Sequence, residues 1–188
     1  HPMAAAPVAP VESGVYEEDF SSYAAKDFTE NTEWDIWHSK LKVSLRDAVE
    51  QSDIDITSDN MGEFYMAWVD AGNNSDVYLQ RLDARENRLW SQDVCVHFDM
   101  TGTQNYPAVA SDNMGNVIVA WNDDGEIYAQ KFDSSGNRLW GNDVKVNSVD
   151  SLLLGSSDVA VDDSGNIIVA WGDKRDNRSD IYAQRLNG

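Results

Sequence analysis

One cysteine, Cys95, in a chain of 188 residues leaves no partner for an intrachain disulfide and no basis for a cysteine-built zinc site. The three histidines, His1, His38 and His97, are scattered without metal-ligand spacing, which excludes the histidine version as well. Positive charge is scarce: 14 Lys plus Arg stand against 33 Asp plus Glu, for a formal charge of -19. A surface this negative repels phosphate backbones and no Lys/Arg stripe relieves it, so nucleic acids and anionic membranes are excluded as partners. Long apolar runs are missing too. The longest are short segments such as Val117–Trp121, far below the ~18 residues of a span, and membrane insertion is not expected. Proline is confined, with three of four in the first ten residues. That stretch lacks the charged and apolar regions of an export signal, and residues 1–15 read as a flexible Pro/Ala-rich tail at a processed terminus.

What is present suits one globular domain. Hydrophobic residues make up 41% of the chain, with seven Trp, seven Tyr and five Phe, enough to bury a core despite the charge. The acid excess with almost no cysteine fits an exported or salt-exposed protein, although an acidic cytosolic chain has the same composition.

The organisation emerges from self-comparison. Ser58-Asp-Asn-Met-Gly-Glu-Phe-Tyr-Met-Ala-Trp68 aligns with Ser111-Asp-Asn-Met-Gly-Asn-Val-Ile-Val-Ala-Trp121 and Val161-Asp-Asp-Ser-Gly-Asn-Ile-Ile-Val-Ala-Trp171, the tryptophans lying 53 and 50 residues apart. Each segment leads through an acidic loop to Val77-Tyr-Leu-Gln-Arg-Leu82, Ile127-Tyr-Ala-Gln-Lys-Phe132 or Ile181-Tyr-Ala-Gln-Arg-Leu186. The first two copies continue to Asn87-Arg-Leu-Trp90 and Asn137-Arg-Leu-Trp140; the third reaches Gly188 before that element. A period of about 50 residues with four strand-like pieces is the mark of a propeller blade. The expected fold is therefore all-β, with four-stranded antiparallel blades: repeat 1 over 52–100, repeat 2 over 104–148 and repeat 3 over 156–188. Strand a begins at Ile54–Ser58 and ends in an Asp-x-x-Gly hairpin whose glycine accepts positive φ. Strand b, such as Val117–Trp121, is apolar on both faces, and strand c alternates. In the second hairpin Glu86 stands where copy 2 has Gly136, so that turn is expected to differ.

The fourth strand missing from repeat 3 has a counterpart at the other end. Ile36-Trp-His-Ser-Lys-Leu-Lys-Val43 overlays Leu139-Trp-Gly-Asn-Asp-Val-Lys-Val146, and Trp37 precedes Trp90 by 53 residues. Residues 36–44 thus read as a closing strand, with Trp37, Leu41 and Val43 facing an acceptor edge at Ile181, Tyr182, Gln184 and Leu186. Such closure leaves no sheet edge bare. The donor is the same chain or a neighbour. Three blades are fewer than the usual four to eight, so the chain is expected to form a two-chain six-blade ring, to join copies head to tail, or to be part of a longer propeller.

The repeat Gly-Asn-x-Ile-Val-Ala-Trp-x-Asp followed by Ile-Tyr-Ala-Gln-Arg resembles the repeats of bacterial extracellular β-propeller proteins. The stretch Tyr16–Phe20 through Trp34 and on to Val43 is similar to a segment that precedes such propellers in cell-surface proteins, and 16–35 reads as an N-terminal extension. The resemblance covers residues 16–188 and implies an extracellular or cell-surface location. It implies no single activity, because such repeats occur in proteins of differing function.

The loops between strands b and c carry Asp70 with Asp76, Asp123 with Glu126, and Asp173 with Asp180. Oxygen-rich loops suit Ca²⁺, but none has the alternating Asp-x-Asp-x-Asp-Gly spacing, and aspartate also closes turns. No metal site or cofactor is therefore expected. Paired carboxylates also serve glycosidases, yet each has an equivalent in another repeat, whereas a single catalytic site breaks the repeat; no enzyme is expected. Trp68, Trp121 and Trp171, with Trp90 and Trp140, suit either packing between blades or stacking on glycans. Cys95 falls on the polar face of strand d. Arg81, Lys131 and Arg185 are expected to pair with nearby acids. The reading that results is a non-enzymatic exported subunit that assembles with copies of itself, with a multivalent glycan-binding propeller as the alternative.

Overall fold

The computed structural model describes residues 41–46, 50–72, 74–99, 101–112, 114–148, 155–174 and 178–187. Trp37 and the first part of the expected closing strand, 36–40, lie outside them, as do Trp34 and Asp176.

The described chain is all-β. Strands β1 (Glu50–Ser58), β2 (Phe64–Ala71), β3 (Ser75–Leu82) and β4 (Val94–Cys95) form sheet 1; β5 (Gln104–Ser111), β6 (Val117–Asp123), β7 (Glu126–Phe132) and β8 (Val144–Lys145) form sheet 2. Strands β9 (Ser157–Val161), β10 (Ile167–Asp173) and β11 (Asp180–Leu186) form sheet 3, which has three strands. Every pairing is antiparallel and joins consecutive strands, as short hairpins require. Strand a of the first repeat is longer than expected, because Asp53 at φ 46° forms a bulge that extends pairing back to Glu50. Tyr106 at φ 52° does the same in β5.

The hairpin turns are set by aspartate. Asp59 Oδ1 accepts from the backbone N–H of Met61 and Glu63, both at 2.9 Å, and Asp83, Asp112, Asp133 and Asp162 repeat this geometry. A carboxylate that accepts two N–H groups fixes the turn without help from the core. The expectation that Glu86 alters its turn is corrected. It adopts φ 64°, beside Gly136 at φ 83°, and in both hairpins the N–H donates to the aspartate carbonyl at 3.0 Å. The side chains of Asp83 and Asp133 hold one shape, and Glu86 bears the strain.

Sheet 2 packs between sheets 1 and 3. Tyr65, Ala67, Val77 and Leu79 of sheet 1 meet Val109, Val117, Val119 and Phe132 of sheet 2 in one core cluster. Ile118, Ala120, Ile127 and Ala129, on the opposite face of sheet 2, meet Val159, Ile167, Val169 and Trp171 of sheet 3 in a second. Strands β2 and β6 are buried on both faces, which explains their nearly unbroken apolar runs.

Candidate functional site

The three sheets differ at their fourth strand. In sheet 1, β4 lies against β3 with Tyr78 opposite Cys95 and Leu79 opposite Val94, and the Val96 N–H donates to the Val77 carbonyl at 2.9 Å. In sheet 2, Tyr128 lies opposite Lys145, Ala129 opposite Val144, and the Val146 N–H reaches Ile127 at 2.7 Å. A glutamine locks each arrangement. Gln80 Oε1 accepts from the Trp90 N–H at 3.3 Å while its Nε2 donates to Asp93 at 3.1 Å, and Gln130 does the same to Trp140 and Asp143 at 3.2 and 3.0 Å. In sheet 3, β11 ends the sheet among the described residues. Ile181, Gln184 and the rest of β11 are exposed or half-buried, and the Gln184 amide turns to the Arg185 carbonyl at 2.9 Å.

Residues 41–46 carry no strand assignment and run beside sheet 1. Arg88 Nε donates to the Val43 carbonyl at 2.6 Å, and the Leu45 N–H donates to Asp93 at 2.8 Å. One repeat on, Arg138 Nε donates to Val96 at 3.4 Å and the Phe98 N–H donates to Asp143 at 2.7 Å. Val43 and Leu45 therefore stand toward sheet 1 as Val96 and Phe98 stand toward sheet 2. Arg46 fastens the segment further, pairing with Asp70 and lying 4.4 Å over the Tyr78 ring. Within the chain, Leu41 and Val43 form no ladder with Ile181, Tyr182, Gln184 or Leu186.

Ser44 occupies the place that His97 occupies one repeat on. His97 is buried 6.3 Å from the Trp121 ring; beside Trp68 a cavity of about 280 Å³ opens instead, lined by Ser44, Gln51, Asp53 and Ile54. The Val77 N–H donates to His97 Nε2 at 3.3 Å, so Nδ1 carries the proton and donates to the Asp99 carbonyl at 2.5 Å. Asn147 Oδ1 replaces this imidazole in sheet 2, accepting from Ile127 at 2.9 Å.

The acidic loops resolve into separate local pairs. Asp70 lies opposite Asp76, Asp123 opposite Glu126 and Asp173 opposite Asp180 across successive hairpins. Like charges placed so repel, and the first two hairpins carry partners for part of that charge. Arg46 pairs with Asp70, whereas His97 Nε2, 3.6 Å from Asp76, already accepts from the Val77 N–H and brings that carboxylate no proton. Gln104 donates to Asp123 at 2.9 Å, and Lys145 and the Tyr128 hydroxyl contact Glu126. Burial pushes the Asp123 carboxyl up, with Asp124 adding to it. Asp173 is buried and Asp180 exposed. Among the described residues no three His, Cys, Asp or Glu side chains converge in a geometry suited to a metal ion.

No family model matches the chain, and no curated protein matches it. Among solved structures it is similar to an endo-arabinase from Bacteroides thetaiotaomicron, at a TM-score of 0.47 and 15% identity, over 74% of this chain and 57% of that one. The chain thus spans little more than half the length of that structure.

Three expectations about single residues need correction. Cys95 is half-buried rather than on an open polar face; burial pushes its thiol up, and Sγ contacts the His97 carbonyl at 3.6 Å. Lys131 pairs with Asp112 at 3.5 Å, but the pair is buried, not superficial. Arg185 reaches the amide of Asn166 rather than an acid. Arg81 does pair with an acid, Glu63. Sequence reasoning missed Arg88 and Arg138. Their signal was the repeated Asn-Arg-Leu-Trp, whose arginine is kept in both copies.

Proposed function

We propose that the chain is a non-enzymatic, exported β-propeller-type subunit whose role is assembly or adhesion, its blades completed between chains. The observation that carries this reading is the pair of half-made blades. Residues 41–46 lie where a preceding blade's fourth strand belongs, while β11 has no fourth strand among the described residues. An unpaired strand edge is a template for another strand.

Two observations weigh against the competing classes. Among the described residues of these loops, Asp70 is held by Arg46, Asp123 by Gln104 and Glu126 by Lys145, and Asp173 is buried, which suits turn formation rather than acid–base work. Trp121 and Trp171 are buried in the two core clusters, so their ring faces serve packing and offer no platform to a sugar; Trp68 is the one of the three that borders a cavity.

Light scattering on the purified chain tests the reading. Particles larger than the 21.0 kDa chain are expected, and a monodisperse single-chain species stable to dilution would sink it. Deleting residues 1–46 should abolish the assembly, whereas deleting 1–14 should leave it intact. A tryptophan fluorescence change on adding a glycan panel would favour the lectin alternative.

A further inference from the structure

The two internal junctions between sheets supply a template for a third that the described residues do not make with one another. At each, one face of the earlier sheet meets the opposite face of the next. The outgoing face of sheet 1 is Tyr65, Ala67, Val77 and Leu79, and that of sheet 2 is Ile118, Ala120, Ile127 and Ala129; all are fully buried. The same positions in sheet 3 are Ile168, Ala170, Ile181 and Ala183. Here Ile168 is 41% exposed and Ile181 is 81% exposed.

The incoming face shows the reciprocal deficit. Val109 and Val117 of sheet 2 are buried against sheet 1. Their equivalents in sheet 1, Ile56 and Phe64, are 52% exposed and half-buried respectively. Among the described residues, the outgoing face of sheet 3 and the incoming face of sheet 1 are therefore left uncovered, with sheet 2 between them.

Polar groups at the two ends match as well. Across the first junction, Asp55 accepts from the Val109 N–H at 2.7 Å, and Arg81 donates to the Ser134 carbonyl at 2.5 Å while also holding Glu63. Sheet 2 has Ala108 in place of Asp55, but sheet 3 restores the pair as Asp158 and Arg185. Arg185 already holds Asn166, which stands where Glu63 stands, so its guanidinium is oriented as that of Arg81.

On the reading proposed above, we infer that the partner is a second copy of this chain, docked outgoing face to incoming face, and that two copies close a six-blade ring. The partner's residues 41–44 pair with β11, with Lys42 opposite Tyr182 and Leu41 opposite Ala183, the register that Cys95 and Val94 keep with Tyr78 and Leu79. Asp158 accepts from the partner's Ile56 N–H, and Arg185 donates to the partner's Ala84 carbonyl, as Asp55 and Arg81 do one junction earlier. Two copies give six blades, inside the four to eight that close around an axis; three copies exceed it. The contact joins different faces, yet it closes because the same junction forms twice about a two-fold axis.

Engineered disulfides test the register. Tyr78 and Cys95 flank the hydrogen-bonded Val77–Val96 pair, so their counterparts fall at a close-approach position suited to a disulfide. A Lys42→Cys chain and a Tyr182→Cys chain, each also carrying Cys95→Ser, are mixed and oxidised. The expected product is a disulfide-linked heterodimer in a particle of two chains, absent when either chain is oxidised alone. Ile181→Asp alters a side chain that is 81% exposed; it should leave the circular dichroism spectrum unchanged and abolish the two-chain particle. A two-chain particle without the cross-link, one that survives Ile181→Asp, or an open series of larger masses overturns this inference and leaves assembly standing. A single-chain species overturns both.

Discussion

Arg88 donates to the carbonyl of Val43 at 2.6 Å, and its equivalent Arg138 donates to the carbonyls of Cys95, Val96 and His97 at 2.6, 3.4 and 2.9 Å. One arginine thus ties each of sheets 1 and 2 to the segment before it. Because carbonyls at a strand end have lost their ladder partners, a guanidinium with several donors in a fixed fork satisfies them where a lysine would not.

Arg138→Ala should destabilise the fold by about 2–3 kcal/mol, the scale of losing charged hydrogen bonds to half-buried carbonyls. Arg88→Ala should act locally, with little change in melting temperature but faster hydrogen exchange at the Leu45 amide, which Asp93 holds at 2.8 Å. Equal effects from the two substitutions would contradict the difference in their bonding, three carbonyls for Arg138 against one for Arg88.

Glu86→Gly should stabilise the protein by about 1 kcal/mol, by removing the cost of a side chain at positive φ. Gly136→Ala should move urea midpoints the other way. It imposes the same strain at φ 83° and brings a Cβ to 3.1 Å from Val94 Cγ2.

Acid should unfold the protein through its turns. Burial pushes the carboxyls of Asp112 and Asp133 up, and the side-chain amides and backbone N–H groups of Asn116 and Asn137 more than reverse it. Asp83 and Asp162 are lowered chiefly by the amides of Asn87 and Asn166. A lowered folded value gives stability that is complete above the ordinary carboxylate range, ~4, and is lost as pH falls through the lowered values. Asp123, raised by burial, has the opposite sign: its ionised form opposes folding, and that opposition disappears as pH falls through its raised value. Melting temperature should therefore fall steeply below pH ~4, and Asp123→Asn should raise it at neutral pH only.

Chelation should leave the fold unchanged. The acidic loops are compensated by Arg46, Gln104 and Lys145 rather than by an ion. A melting temperature that drops on adding EDTA would show Ca²⁺ bound there.

Legible in the sequence were the repeat, its strand-like pieces and the Asp-x-x-Gly turns, because these depend on residues only a few positions apart; the shape of the Asp83 turn was the exception. Asp83 shows how far local chemistry reaches, since its carboxylate holds the hairpin even where Glu86 replaces glycine. Which faces meet depends on packing between sheets and could not be read from residue order. Ile127 and Ile181 occupy the same place in the same motif, yet one is fully buried and the other 81% exposed, because sheet 3 packs on the first and no described residue packs over the second. Likewise Val43 and Val96 share a pattern, but their common role became visible only once Arg88 and Arg138 reached across from the following sheets, a relation between segments more than 40 residues apart.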